Sequence, residues 1–217
     1  YAYSDFGTTD VSVTGNISVD AYNDAYGINA YGYDEVIVSV TGDVDVYSTF
    51  EDAYGIYADS GDGDASVTVV GDISVDAYFD ATGVDVEGYY DATADVTGNI
   101  TVYSGYQNAY GIYADADNGA ASVTVVGNID VETQGTSSSD DAYGIEINAY
   151  YDATVDVTGN ITVYSAFGDA YGVLAYSEDG NTSVTVVGDI YADAYNTAYG
   201  VVVTNGAGSS RTGPYAE

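Results

Sequence analysis

The chain has 217 residues, with 35 acidic side chains against a single basic one and a formal charge of −34, and it contains no His, Cys, Met or Trp. That inventory excludes a catalytic His, a thiol nucleophile, a Schiff-base Lys and the usual zinc, copper, haem or iron–sulfur ligand sets. Arg211 is the sole basic side chain, so DNA, RNA and anionic membranes are repelled rather than bound.

An apolar content of 46% is that of a folded protein, whereas the charge alone would point to disorder. No run of about 18 apolar residues occurs, so no membrane-spanning segment or direct membrane insertion is expected. The chain opens at Tyr1 rather than Met, which predicts a processed or partial product.

Read from the start, the sequence repeats. The tetrapeptide Ala-Tyr-Gly-Ile or a variant places glycines at Gly27, Gly55, Gly83, Gly111, Gly144, Gly172 and Gly200, at intervals of 28, 28, 28, 33, 28 and 28. The long interval contains Gln134 to Ser139, a Ser/Thr/Gly insertion that reads as a loop. A second mark, Val-Thr-Gly or Val-Val-Gly followed by Asn or Asp, sits at Gly15, Gly42, Gly71, Gly98, Gly127, Gly159 and Gly188. Its spacing alternates, so the sequence unit is a pair of repeats. Both sets of glycines are expected at corners, where unusual dihedrals or close backbone approach are needed.

Between the marks, apolar and polar residues alternate, the period of a strand. Val123, Val125, Ile129 and Val131 take one parity, and Thr124, Asn128, Asp130 and Glu132 the other. At fixed offsets the repeats form columns of one chemistry, such as Val13, Val40, Val69, Val96, Val125, Val157 and Val186. Such columns predict an all-β parallel β-helix, a β-solenoid of about seven 28-residue coils stacked in register with Val and Ile inside. A spacing of about 4.8 Å between strands makes this a rod roughly 34 Å tall. The solenoid is expected to occupy residues 1–203 as one domain, with 204–217 as a C-terminal tail or inter-subunit segment. No helix is predicted.

Ala109-Tyr110-Gly111-Ile112 followed by Ser122-Val123-Thr124-Val125-Val126-Gly127-Asn128-Ile129 resembles the repeats of secreted β-helical surface proteins, such as autotransporter passengers and filamentous-haemagglutinin-type exoproteins. The likeness covers residues 6 to 203. It implies a right-handed coil, extracellular or cell-surface display, and an adhesive or structural role.

The polar columns supply the candidate sites. Asn16, Asp43, Asp72, Asn99, Asn128, Asn160 and Asp189 follow the corner glycines and suit a hydrogen-bonded ladder. Asn16, Asn99, Asn160 and Asn181 also match the acceptor pattern for N-glycosylation. A second acidic column runs through Asp24, Asp52, Asp80, Asp141 and Asp169, interrupted by Asn108 and Thr197. Three acidic Gly-containing segments alternate oxygen side chains: Asp59, Asp62 and Asp64; Asp115 and Asp117; Glu178 and Asp179. They fit either solvated turns or sites for Ca²⁺, a hard cation that takes oxygen ligands, although none carries the distal bidentate Glu of an EF-hand. Tyr fills a column at 26, 54, 110, 143, 171 and 199, with Thr82 as the exception, and further Tyr columns make an aromatic surface able to pack laterally or touch glycans.

No one coil carries a unique constellation for catalysis, so an enzyme is not expected. Neither end reads as a polar cap, and open coils invite further coils to stack on them. The expectation is therefore a structural subunit of an extracellular or cell-surface filament, a homo-oligomer assembled head to tail. A fragment of an adhesin passenger and a calcium-binding surface-layer or matrix protein are the alternatives. In the filament reading Arg211 reaches the acidic flank of a neighbour, or else lies in an unstructured tail.

Overall fold

Alternation of β-branched and short polar residues leaves the chain one economical way to bury its apolar half: as strands whose inward side chains meet across a narrow interior. In the computed structural model, which describes residues 1–206, that is what forms. One turn of the solenoid consists of β7 (Ala53–Ser60), β8 (Ala65–Val70) and β9 (Ile73–Ala77). The next consists of β10 (Ala81–Gly88), β11 (Ala92–Thr97) and β12 (Ile100–Ser104). Repetition of this unit gives three parallel sheets, of eight, seven and seven strands. We call them sheets 1, 2 and 3 in the order in which the chain meets them. No helix occurs among the described residues.

Register is that of the sequence columns. In sheet 2, Val69 pairs with Val96, Val96 with Val125 and Val125 with Val157. In sheet 3, Ile73 pairs with Ile100, Ile100 with Ile129 and Ile129 with Ile161. These residues form a single continuous core that also contains Ala columns, including Ala53, Ala81, Ala109, Ala142 and Ala170. The largest fully buried side chains are Ile, and a slip of one residue would turn each Val to solvent.

The two glycine sets do different jobs, and one of them is not at a corner. Gly15, Gly42, Gly71, Gly98, Gly127, Gly159 and Gly188 turn the chain from sheet 2 to sheet 3 with φ between 121° and 157°, backbone geometry that side-chain-bearing residues rarely adopt. The Ala-Tyr-Gly glycines instead lie inside the strands of sheet 1, without positive φ. At Gly83 a Cβ would stand 2.5 Å from the Gly111 carbonyl oxygen and 3.0 Å from Ile100 Cγ2. Inward–outward alternation shifts here, since both Gly83 and Val84 are buried. Close backbone approach, not a corner, fixes this second glycine.

Buried hydroxyls complete the coil where sheet 3 returns to sheet 1. Ser48, Ser104, Thr133 and Ser165 are interior polar residues. The Ser48 Oγ donates to the Asn23 carbonyl at 2.8 Å and accepts from the Glu51 N–H at 3.2 Å. Ser165 repeats the arrangement with Asp140 and Gly168, both at 3.0 Å. The inserted loop after β15 (Ile129–Thr133) is held by Asp140, whose Oδ2 accepts from the N–H groups of Thr136 and Ser137, each at 2.6 Å.

At the C-terminal end β22 (Ala198–Asn205) carries the solenoid two residues beyond the expected boundary, with Asn205 paired to Ser177. Arg211 and its expected contact lie outside the described residues.

The packing at Gly83 makes a direct prediction. Gly83→Ala should lower stability by about 1–3 kcal/mol through overpacking. Gly61→Ala, where the nearest atom to a new Cβ is the Tyr31 hydroxyl at 3.5 Å, should change it by less than about 0.5 kcal/mol. Equilibrium urea unfolding of both variants checks the contrast.

Candidate functional site

The polar surface is built on ladders at all three corners. At the turn into sheet 3, the side-chain Oδ1 of one coil accepts the N–H of the equivalent residue in the next: Asn16 from Asp43 at 3.0 Å, Asp43 from Asp72 at 3.0 Å, Asp72 from Asn99 at 2.7 Å and Asn99 from Asn128 at 3.0 Å. At the turn into sheet 1, Asp52 accepts from Asp80, Asp80 from Asn108, Asn108 from Asp141 and Asp141 from Asp169. At the third corner, Asp64 accepts from Asp91 at 3.1 Å and Asp91 from Ala120 at 2.8 Å. Corner N–H groups fall outside the strand ladders and need an acceptor. A carboxylate or amide oxygen one coil away supplies it, which gives a structural role to Asp43, Asp52, Asp64, Asp72, Asp80, Asp91 and Asp141.

The sequence-derived site residues are dispersed by this architecture. Asp59 lies in β7 and Asp115 in β13 (Ala109–Ala116), half-buried on the outer face of sheet 1, rather than in loops. Asp62, Asp64 and Asp117 sit in exposed corner turns, as do Glu178 and Asp179. Among the described residues, no three His, Cys, Asp or Glu side chains are grouped so as to hold a metal ion. Asn16, Asn99, Asn160 and Asn181 are all exposed. The Nδ2 of Asn99 contacts Asp72 Oδ1 at 3.1 Å, and that of Asn181 contacts Asp152 Oδ1 at 3.3 Å.

What register does bring together is a cluster on the outer face of sheet 1. Tyr54, Thr82 and Tyr110 form one row; Tyr57, Asp85 and Tyr113 the next; Asp59, Glu87 and Asp115 the third. Elsewhere the tyrosine row is a continuous stack, with ring centroids 4.9 Å apart for Tyr26 and Tyr54, 4.8 Å for Tyr110 and Tyr143, and 5.0 Å for Tyr143 and Tyr171. At Thr82 the stack is broken. Tyr57 packs edge-on against Tyr54 and Tyr113 against Tyr110, each pair at 6.0 Å, and under these rings Thr82 is 4% and Asp85 8% exposed.

Asp85 is the chemically unusual residue. Its Oδ1 is buried without a hydrogen-bond partner. Burial first, and then the neighbouring Glu87, Asp59 and Asp115, push its carboxyl up to about 8. Glu87 is raised to about 7, again by burial and then by Asp59 and Asp115. Burial also raises Asp59, Asp115 and Glu146 and lifts the phenols of Tyr54, Tyr57, Tyr110 and Tyr113. At neutral pH Asp85 thus keeps its proton, since a buried carboxylate facing three others has no cation to compensate it. The cluster takes up protons as the solution becomes acidic.

Sequence reading did not single out Asp85. The available signal was Thr82, the one break in the tyrosine column, three residues from an Asp in a column otherwise held by Asn29, Tyr57, Tyr113, Glu146, Leu174 and Val202.

The sign of the pH effect follows from the raised value. Below about pH 4 Asp85 is protonated in both folded and unfolded chains; between there and about pH 8 only the folded chain holds the proton. Stability should therefore fall with rising pH across that window, by up to about 1.4 kcal/mol per pH unit for this group. Asp85→Asn should flatten the fall in Tm between about pH 5 and about pH 8 and raise stability at the alkaline end. A variant whose melting temperature tracks the parent over the same range would contradict the assignment.

Compared with known proteins, the chain matches no family model, no curated protein and no solved structure.

Proposed function

We propose that this chain is a structural β-solenoid of the extracellular space or cell surface, and that copies assemble head to tail into a filament through their terminal coils. The observation that supports this reading is the state of the two outermost coils. Val123, Val125, Ile129 and Val131, in an inner coil, are fully enclosed. Their equivalents in the last coil, Val184, Val186, Ile190 and Ala192, are only partly buried, and so are Val11, Val13, Ile17 and Val19 in the first.

Among the described residues, each outermost coil thus presents an apolar stripe bordered by strands that have no further strand paired to them. Following the register from coil to coil, a second copy seated on β20 (Thr182–Val187) and β21 (Ile190–Ala194) would set Val11 over Val184, Val13 over Val186, Ile17 over Ile190 and Val19 over Ala192. In sheets 2 and 3 the two faces match because they are opposite sides of one repeating unit; in sheet 1 the segment Ala2–Ser4 of the second copy falls at the position of Val203–Asn205, so one of the two must give way on assembly. Such a contact is heterologous and does not close on itself, which is the geometry of a fibre. Backbone pairing sets the register, while burial of the stripes at about 25 cal/mol per Å² provides the driving force.

The acidity fits the same reading. A net charge of −34 keeps the flanks of neighbouring rods apart, and dissolved salt screens that repulsion within about 10 Å. Association is thereby directed to the ends, where apolar groups and unpaired strands are concentrated.

Negative-stain microscopy and mass photometry of the purified chain should find rods whose lengths are multiples of one subunit, growing longer as salt is added. Val19→Lys places an inward-pointing charge on the open edge, a device that discourages edge pairing, and should shift the population to single rods. Monodisperse single rods at every salt and calcium concentration would contradict end-to-end assembly.

A further inference from the structure

The outer face of sheet 3 carries an alternation that the corner ladders do not explain. Its outward row nearest sheet 1 reads Asp20, Tyr47, Asp76, Tyr103, Glu132, Tyr164 and Asp193, each directly above the last. Every tyrosine in the row has a carboxylate on either side along the solenoid axis, and successive tyrosines are two coils, about 9.6 Å, apart. Tyr47, Tyr103 and Tyr164 are 42%, 37% and 38% exposed.

Beside this row the corner carries a second line of rings. Tyr78 and Tyr106 lie 4.5 Å apart, and Phe50 continues the line at 5.9 Å from Tyr78. Between the two rows runs an open groove of about 630 Å³, a volume in the range of ligand sites. Gly105 contributes no side chain to it, and the inserted loop at Gln134 to Thr136 walls it at one end. Asp76 is raised by burial, and Glu132 receives a hydrogen bond from the Gln134 amide.

We propose that this groove binds a linear amino-bearing polysaccharide lying along the solenoid axis, with sugar rings on Tyr47 and Tyr103 and ammonium and hydroxyl groups directed to Asp76 in the groove and to Glu132, which follows Tyr103 in the same row beside it. The chemistry of the row selects such a ligand. A pyranose has apolar faces to lie on an aromatic ring and polar groups around its equator, and here each ring is bracketed by acceptors at both edges. The repeat along the axis demands a ligand that is itself periodic. Ionised carboxylates accept hydrogen bonds and cannot donate them, so the ligand must present donors. A proline-rich peptide has a similar rise per turn, but its prolines carry no N–H. Uronate polymers and nucleic acids are repelled by the same carboxylates. Cationic amines gain both from the carboxylates and from the tyrosine faces. This site is independent of the terminal coils and does not require that copies assemble.

The test is titration calorimetry of the full chain with β-1,4-linked glucosamine oligomers of increasing length at mildly acidic pH, where their amines are charged. Binding should strengthen with length until an oligomer spans Tyr47 and Tyr103. Tyr103→Ala should weaken it at least about tenfold, and Asp76→Asn should weaken the amino-oligomer more than a neutral glucose oligomer of the same linkage. Asp95→Asn, on the outer face of sheet 2, should leave it unchanged. Circular dichroism establishes that each variant is folded, as expected for changes at exposed or half-buried outer positions. Absence of binding would overturn the proposal. So would binding that survives the double variant Tyr47→Ala/Tyr103→Ala, because that is attachment by charge alone, and so would a preference for a lysine-substituted polyproline peptide.

Discussion

Each interior residue of the solenoid has the same position of the neighbouring coil above it and below it, about 4.8 Å away. Stacking in register multiplies whatever a position contributes. For Val, Ile and Ala inside, the effect is favourable: the columns Val69–Val96–Val125 and Ile73–Ile100–Ile129 fill a narrow interior with close-packed branched side chains. For charges outside, the effect is adverse. Two carboxylates one coil apart repel by about 0.9 kcal/mol in water and by more where solvent is excluded.

The surface is organised around that second consequence. At the corners, carboxylates earn their place by accepting N–H groups from the next coil, as Asp80 does for Asn108 and Asp72 for Asn99. In the row of sheet 3 nearest sheet 1, acids alternate with tyrosines, so like charges within that row are two coils apart. Only on sheet 1 do Asp59, Glu87 and Asp115 stand in consecutive coils, and there they adjoin Asp85. That is also where the carboxyls are pushed furthest toward the neutral form. The cluster is the place where the stacking rule is broken, and protonation is what makes the breach tolerable.

Much of this was legible in the sequence, because a strict repeat converts a three-dimensional question into one of alignment. The inward columns, the number of coils and the absence of helix follow from periodicity alone, and the corner asparagine ladder follows from its invariable place after glycine. Other features depend on distances that periodicity does not carry. Gly83 and its equivalents looked like corner residues, yet they lie within strands whose backbones approach too closely for a Cβ. Asp59 and Asp115 looked like members of calcium loops, but the strands of sheet 1 extend one residue past them, and register places them beside Glu87. The Oδ1 of Asp64 is engaged by the N–H of Asp91. Burial of Asp85 arises from rings contributed by two other coils, information that no single repeat contains.

The account stands or falls on equivalent residues lying one above another through the whole molecule. Because the chain has no Cys, pairs of spin labels can be attached at introduced cysteines in the exposed threonine and valine row of sheet 2. Dipolar distance measurement for Thr41→Cys paired in turn with Val126→Cys, Thr158→Cys and Val187→Cys should give separations that lengthen by about 4.8 Å per coil. Distances that fail to increase in that order, or that do so by unequal steps, would contradict the stacked solenoid.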